Sequence, residues 1–134
     1  RISEEADNLI KVTEQSFFEA IKYARELNTI GDISFAIQNY VESHGYSVVK
    51  AFTGHGIGKD LHESPEVPNF GRKSSGIMIR KGMALAIEPM VNMGSEHINV
   101  LDDNWTVITR DGSLSAHYEN TVIITSDEPE IITL

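Results

Sequence analysis

The sequence contains no cysteine. A disulfide framework and a thiolate zinc site are both excluded, so any metal has to be held by histidine nitrogen or carboxylate oxygen. Long apolar runs are also missing. The longest, Met83 to Ile87, falls far short of the roughly 20 residues a membrane-spanning helix requires. No secretory hydrophobic region is visible either. Basic residues are scarce: 11 Lys and Arg against 20 Asp and Glu give a net charge of −9. A nucleic-acid surface needs a basic face, so this balance argues against that class of partner. What remains is 134 residues with 40% hydrophobic content, enough to build a globular core and too apolar for disorder. The expectation is one soluble, intracellular domain or half of a larger unit. The opening at Arg1, without a leader, points to a fragment or a processed chain.

Residues 3 to 27 read as a helix. Ser3 suits an N-cap, Glu4, Glu5 and Asp7 suit the first turn, and Ala6, Ile10, Phe17, Ile21 and Ala24 form an apolar stripe. A second helix runs from Gly31-Asp32 to about His44, with Ile33, Ile37, Tyr40 and Val41 inward and Gly45 past its end. Tyr46 to Phe52 reads as a strand. Residues 53 to 76 hold half the glycines and two of the four prolines, and read as a long irregular loop. Strands are expected at 83–87, 98–101, 105–109, 116–125 and 130–133, with a hairpin signal at Asp111-Gly112. The fold class is α+β: two helices packed on a mainly antiparallel sheet.

Four segments could carry chemistry. His55 lies between two glycines in Gly54-His55-Gly56-Ile57-Gly58, and a glycine-rich turn with an incidental histidine is the bland explanation. His62 follows seven residues later, at a spacing that allows two imidazoles to converge or simply to face water. Glu88 ends an apolar strand before Pro89, where a carboxylate is paired, metal-bound or solvated. In His117-Tyr118-Glu119-Asn120-Thr121, alternation puts His117, Glu119 and Thr121 on one face. Two imidazoles and two carboxylates are a donor set for Zn, Mn, Fe or Co. A serine-nucleophile triad is the rival chemistry, and no serine sits in a G-x-S-x-G elbow.

In order along the chain, the motifs resemble the type I methionine aminopeptidase family. They are Phe52-Thr53-Gly54-His55-Gly56-Ile57-Gly58, Leu61-His62-Glu63-Ser64-Pro65, Val67-Pro68-Asn69-Phe70, Gly82 to Val91, Asn104-Trp105-Thr106-Val107 and Ser115 to Thr121. The resemblance implies the pita-bread fold, two pseudo-symmetric α+β halves, with residues 1–134 as the C-terminal half and the N-terminal half absent. It implies a cytoplasmic metal-dependent aminopeptidase that removes initiator methionine from nascent proteins using two divalent ions (Co, Mn, Fe or Zn). By motif, His55, Glu88 and Glu119 are metal ligands, and Glu119 bridges the two ions. His62 contacts the scissile carbonyl, and Glu88 doubles as proton shuttle. Trp105 lines the methionine pocket, with Leu61 and Phe52 as further walls; Leu61 stands where many relatives have Phe. Two further aspartate ligands belong to the preceding half, so three of five ligands are present. Asp32, Asp60, Asp102 and Asp103 do not occupy the missing aspartate motif.

The expected partners are methionine-initiated peptides and the N-terminal half, with no nucleic acid and no membrane. Alone, the chain is expected to bind metal weakly, to be inactive, and to offer an exposed sheet edge for self-association. The alternatives are a proline-directed peptidase of the same fold (aminopeptidase P or prolidase), a non-catalytic binding module, and a plain α+β domain.

Overall fold

The computed structural model describes residues 1–134. Helix α1 spans Glu4–Ile21 and starts where Ser3 accepts a hydrogen bond from the Ala6 amide. Acidic residues in its first turn face the positive end of the helix dipole. It is shorter than the sequence pattern predicts. After Ile21 the backbone turns so that Ala24 is buried and the Leu27 amide bonds the Ile79 carbonyl. Tertiary contacts therefore override helical propensity here. The buried stripe is also rotated from the expected one: Leu9, Val12, Phe17 and Ala20 face inward, and Ile10 faces solvent. Helix α2 spans Ile30–Ser43 and opens with a capping box, in which Thr29 and Asp32 satisfy each other's backbone amides. Ile33, Ile37 and Val41 are fully buried.

Ten strands follow: β1 (Ser47–Val48), β2 (Thr53–Ile57), β3 (Glu63–Pro68), β4 (Ala84–Ile87), β5 (Met90–Asn92), β6 (Ile98–Val100), β7 (Val107–Thr109), β8 (Ser115–His117), β9 (Asn120–Ile123) and β10 (Glu130–Ile131). All pairings are antiparallel. The central sheet has the order β10-β9-β4-β2-β3; β1-β5-β8 form a second sheet and β6-β7 a separate ribbon. Phe17, Ile33 and Ile37 from the helices meet Val67, Leu85, Ile87 and Val122 from the central sheet in one core. No helix is long and apolar enough to cross a membrane.

The region expected as an irregular loop instead contains β2 and β3. Glycine is a poor strand former by propensity, but β2 needs it. A Cβ on Gly54 would collide with the Ala86 carbonyl oxygen of β4, and one on Gly56 with the Ser64 carbonyl oxygen. The strand expected over 46–52 shrinks to β1. The strand expected over 116–125 is two strands in different sheets, broken at Tyr118-Glu119. The outer strands of the central sheet are β3 and β10. The first carries Pro65 and Pro68, which lack amide donors, and the second is only two residues long. Both features blunt edge pairing.

Asp111-Gly112 makes a turn, but β7 and β8, the strands it joins, belong to different sheets. The Asp111 carboxylate accepts hydrogen bonds from the Ser95 amide at 2.8 Å and the Ser113 amide at 3.0 Å. These bonds, the Ser95 amide first, lower its pKa from 3.8 to about 2. A folded-state value below the unfolded one stabilises above the unfolded pKa, and this contribution fades as pH falls through the folded value. Acidification from about pH 4 to about pH 2 should therefore release the Ser95 and Ser113 amides in NMR spectra. Asp111→Asn should remove that transition, and its persistence would assign the release to another group.

Candidate metal centre

Three segments of the chain, in and beside the central sheet, converge. His55 lies in the middle of β2, paired with Ala86 of β4. Glu88 follows β4 directly, held short of β5 by Pro89. Glu119 sits in the break between β8 and β9, where the chain leaves one sheet for the other. His55, Glu88 and Glu119 each offer a ligand atom within 4.8 Å of the other two. His55 and Glu88 are mostly buried and Glu119 is exposed.

The hydrogen bonding fixes which atoms face the centre. His55 Nδ1 lies 3.0 Å from the Gly56 carbonyl, which can only accept, so Nδ1 carries a proton. Its Nε2 is 3.1 Å from Glu88 Oε2. A neutral imidazole lone pair facing a carboxylate at that distance is repulsive. The contact requires a positive charge between them, either a proton or a metal ion. Two donors on one tetrahedral ion at ~2.1 Å lie about 3.4 Å apart, close to the observed separation. Glu88 Oε1 lies 3.4 Å from His117 Nε2, so one carboxylate spans two imidazoles. Burial, and then the charge of Glu119, raise the Glu88 pKa, against the opposing pull of His55 and His117. A nitrogen and two carboxylates suit Zn, Mn, Fe or Co, and the residues present fit a divalent ion.

The other expected site residues are distributed unevenly around this centre. The His62 ring lies against that of His55, with centroids 4.0 Å apart. Both line a polar cavity with Thr53, Glu63, Ser64 and Glu66. Phe52 lines a neighbouring, more apolar cavity with Met90, Ile98, Val107, Ala116 and His117. Leu61 and Trp105 line neither, and both are exposed, Trp105 by 87%. His117 was visible in the sequence as a strand-face neighbour of Glu119, but only the folded position of Glu88 shows that it belongs to the cluster. Asp32 lies outside the cluster: it caps α2 and accepts the Ser74 amide.

The sequence profile of metallopeptidase family M24 matches residues 1–126. The chain belongs to this family. Among its M24 relatives, the protein named methionine aminopeptidase from Clostridium perfringens is 61% identical over 133 residues, covering 99% of this chain and 53% of that protein. The crystal structure of methionine aminopeptidase from Rickettsia prowazekii superimposes with a TM-score of 0.98 at 42% identity, covering 100% of this chain and 54% of that one. Prolidase from Pyrococcus furiosus has a TM-score of 0.75 at 18% identity and shares the fold alone. The chain spans about half the length of the methionine aminopeptidases it matches. The expected α+β half of the pita-bread fold is the architecture observed.

Proposed function

We propose that this M24 chain is the C-terminal half of a cytoplasmic methionine aminopeptidase, acting on methionine-initiated peptides together with an N-terminal half. The observation that carries this reading is the convergence of His55, Glu88 and Glu119 in a chain 61% identical to a methionine aminopeptidase. Retention of all three donors speaks against a non-catalytic binding module. A proline-directed peptidase gains only fold-level support, at 18% identity.

In this reading His55, Glu88 and Glu119 would hold divalent metal, with the remaining ligands supplied by the other half. Bound metal would supply Lewis acidity and an activated water. The chain's own residues do the rest. His55 Nδ1–H, held by the Gly56 carbonyl, keeps Nε2 aimed at the centre. His62, stacked beside His55, donates a hydrogen bond to the substrate's scissile carbonyl oxygen. Glu88 carries the proton between the attacking water and the leaving amine. Phe52 lines the apolar cavity beside the centre, and Leu61 and Trp105, exposed in this chain, become substrate walls only with the other half in place. The blunted outer strands β3 and β10 leave self-association through a sheet edge as the lesser partner, behind the complementary half.

The test is calorimetric titration of Mn²⁺ or Co²⁺ into the chain, alone and mixed with a separately produced N-terminal half, alongside cleavage of a Met-Gly-Met peptide. Tight binding and cleavage should appear only in the mixture. Two bound metals and cleavage by the chain alone would overturn the shared-site account. In the mixture, His62→Ala should lower kcat about 10²- to 10³-fold with metal content unchanged. Equal loss of metal would make His62 a ligand instead.

A further inference from the structure

The turn between β6 and β7 holds a nearly bare indole on a heavily bonded backbone. Trp105 is 87% exposed and is the only tryptophan of the chain. An exposed aromatic on a loose loop would be unremarkable. This loop is not loose. The Asp103 carboxylate takes three hydrogen bonds: Oδ1 from the Trp105 amide at 2.9 Å and the Thr106 amide at 2.8 Å, and Oδ2 from the Thr106 hydroxyl at 2.5 Å. The Asn104 amide closes a turn onto the Leu101 carbonyl at 2.9 Å, and the Leu101 amide reaches the Thr106 carbonyl at 2.8 Å. Asn104 itself adopts φ +58°, a conformation asparagine tolerates better than most residues. Below the turn, Val100 pairs with Val107.

The ribbon has little else to hold its tip. It pairs with no other strand of the chain, and Val100, Leu101, Val107 and Ile108 are all exposed. Order at the tip therefore depends on local bonds, and most of those converge on one side chain. Fixing a recognition group before its ligand arrives lowers the ordering cost of binding.

We propose that Asp103 is a positioning residue that fixes the β6–β7 turn and thereby presents Trp105, preordered, to the substrate's side chain. The substrate part of this inference rests on the wall role given to Trp105 above; the ordering part does not.

The two parts are separable by experiment. In the chain alone, ¹⁵N relaxation should show rigid Trp105 and Thr106 amides, with order parameters near 0.85, falling below about 0.6 in Asp103→Ala. Asp103→Asn keeps an oxygen in the Oδ1 position and should restore most of that order. Unchanged order parameters in Asp103→Ala would overturn the positioning role, whatever the activity. In the mixture with the N-terminal half, Asp103→Ala should raise KM for Met-Gly-Met about five- to tenfold with a smaller change in kcat. A loosened turn with unchanged KM, while Trp105→Ala raises KM, would show that prior order contributes nothing and would overturn the proposal. If neither variant moves KM, Trp105 is no substrate wall and the substrate half of the proposal fails with that reading.

Discussion

Replacing Glu88 by alanine is expected to abolish metal binding in the two-half protein, weakening affinity by more than about 100-fold. Loss of supporting outer-shell groups alone costs 10- to 100-fold, and Glu88 is a direct donor. It is also the carboxylate that lies between His55 and His117, at 3.1 and 3.4 Å. Its removal leaves Glu119 as the single carboxylate that this chain contributes to the donor set. Calorimetric titration of Mn²⁺ checks this, with far-UV circular dichroism as the control for folding. A variant that keeps native metal affinity would remove Glu88 from the ligand set.

The second large effect is expected at Gly54. Alanine there places a methyl group against the Ala86 carbonyl oxygen, with the Val67 Cβ 3.3 Å away on the other side. The obstacle is backbone in a neighbouring strand, so no side-chain rotation relieves it. Strand β2 lies between β4 and β3, and displacing it opens the sheet beside His55. Overpacking of this kind costs about 3 kcal/mol or more. That is a large part of the 5–15 kcal/mol stability typical of a domain. Urea unfolding should show a marked fall in midpoint, and any protein that stays folded should bind metal less tightly because His55 shifts. An unfolding free energy within about 0.5 kcal/mol of the parent would mean that β2 and β4 can separate without cost.

How far the sequence could be read depended on whether the deciding interactions were local. The start of α1 at Ser3 and the inward positions of α2 were legible because caps and 3.6-residue periodicity are local. The end of α1 was not, since it is set by the Leu27–Ile79 bond from across the fold. Gly54 and Gly56 look like loop residues until the neighbouring carbonyls are known. Alternation puts His117 and Glu119 on one strand face, but the chain changes sheets between them, and they reach the same centre through that break. Asp111-Gly112 signals a turn correctly, yet nothing nearby reveals that the flanking strands pair elsewhere. His55, Glu88 and Glu119 stand out in the sequence through their motifs. The structure adds what motifs cannot: which nitrogen of His55 faces inward, and that Glu88 contacts two imidazoles.

The pairing pattern also sets an order of events during folding. Contacts along α1 and α2 are local and form on the helix timescale. The ladders that bring the three donors together are not. Segment 75–79 has to close back onto 27–31, and β4 has to wait for β9, far along the chain. Non-local antiparallel pairing is slow, because loop-closure entropy is spent before contacts reward it. His55, Glu88 and Glu119 are therefore expected to come together late in folding. In the mixture with the N-terminal half, a stopped-flow signal from bound Co²⁺ should lag helix formation.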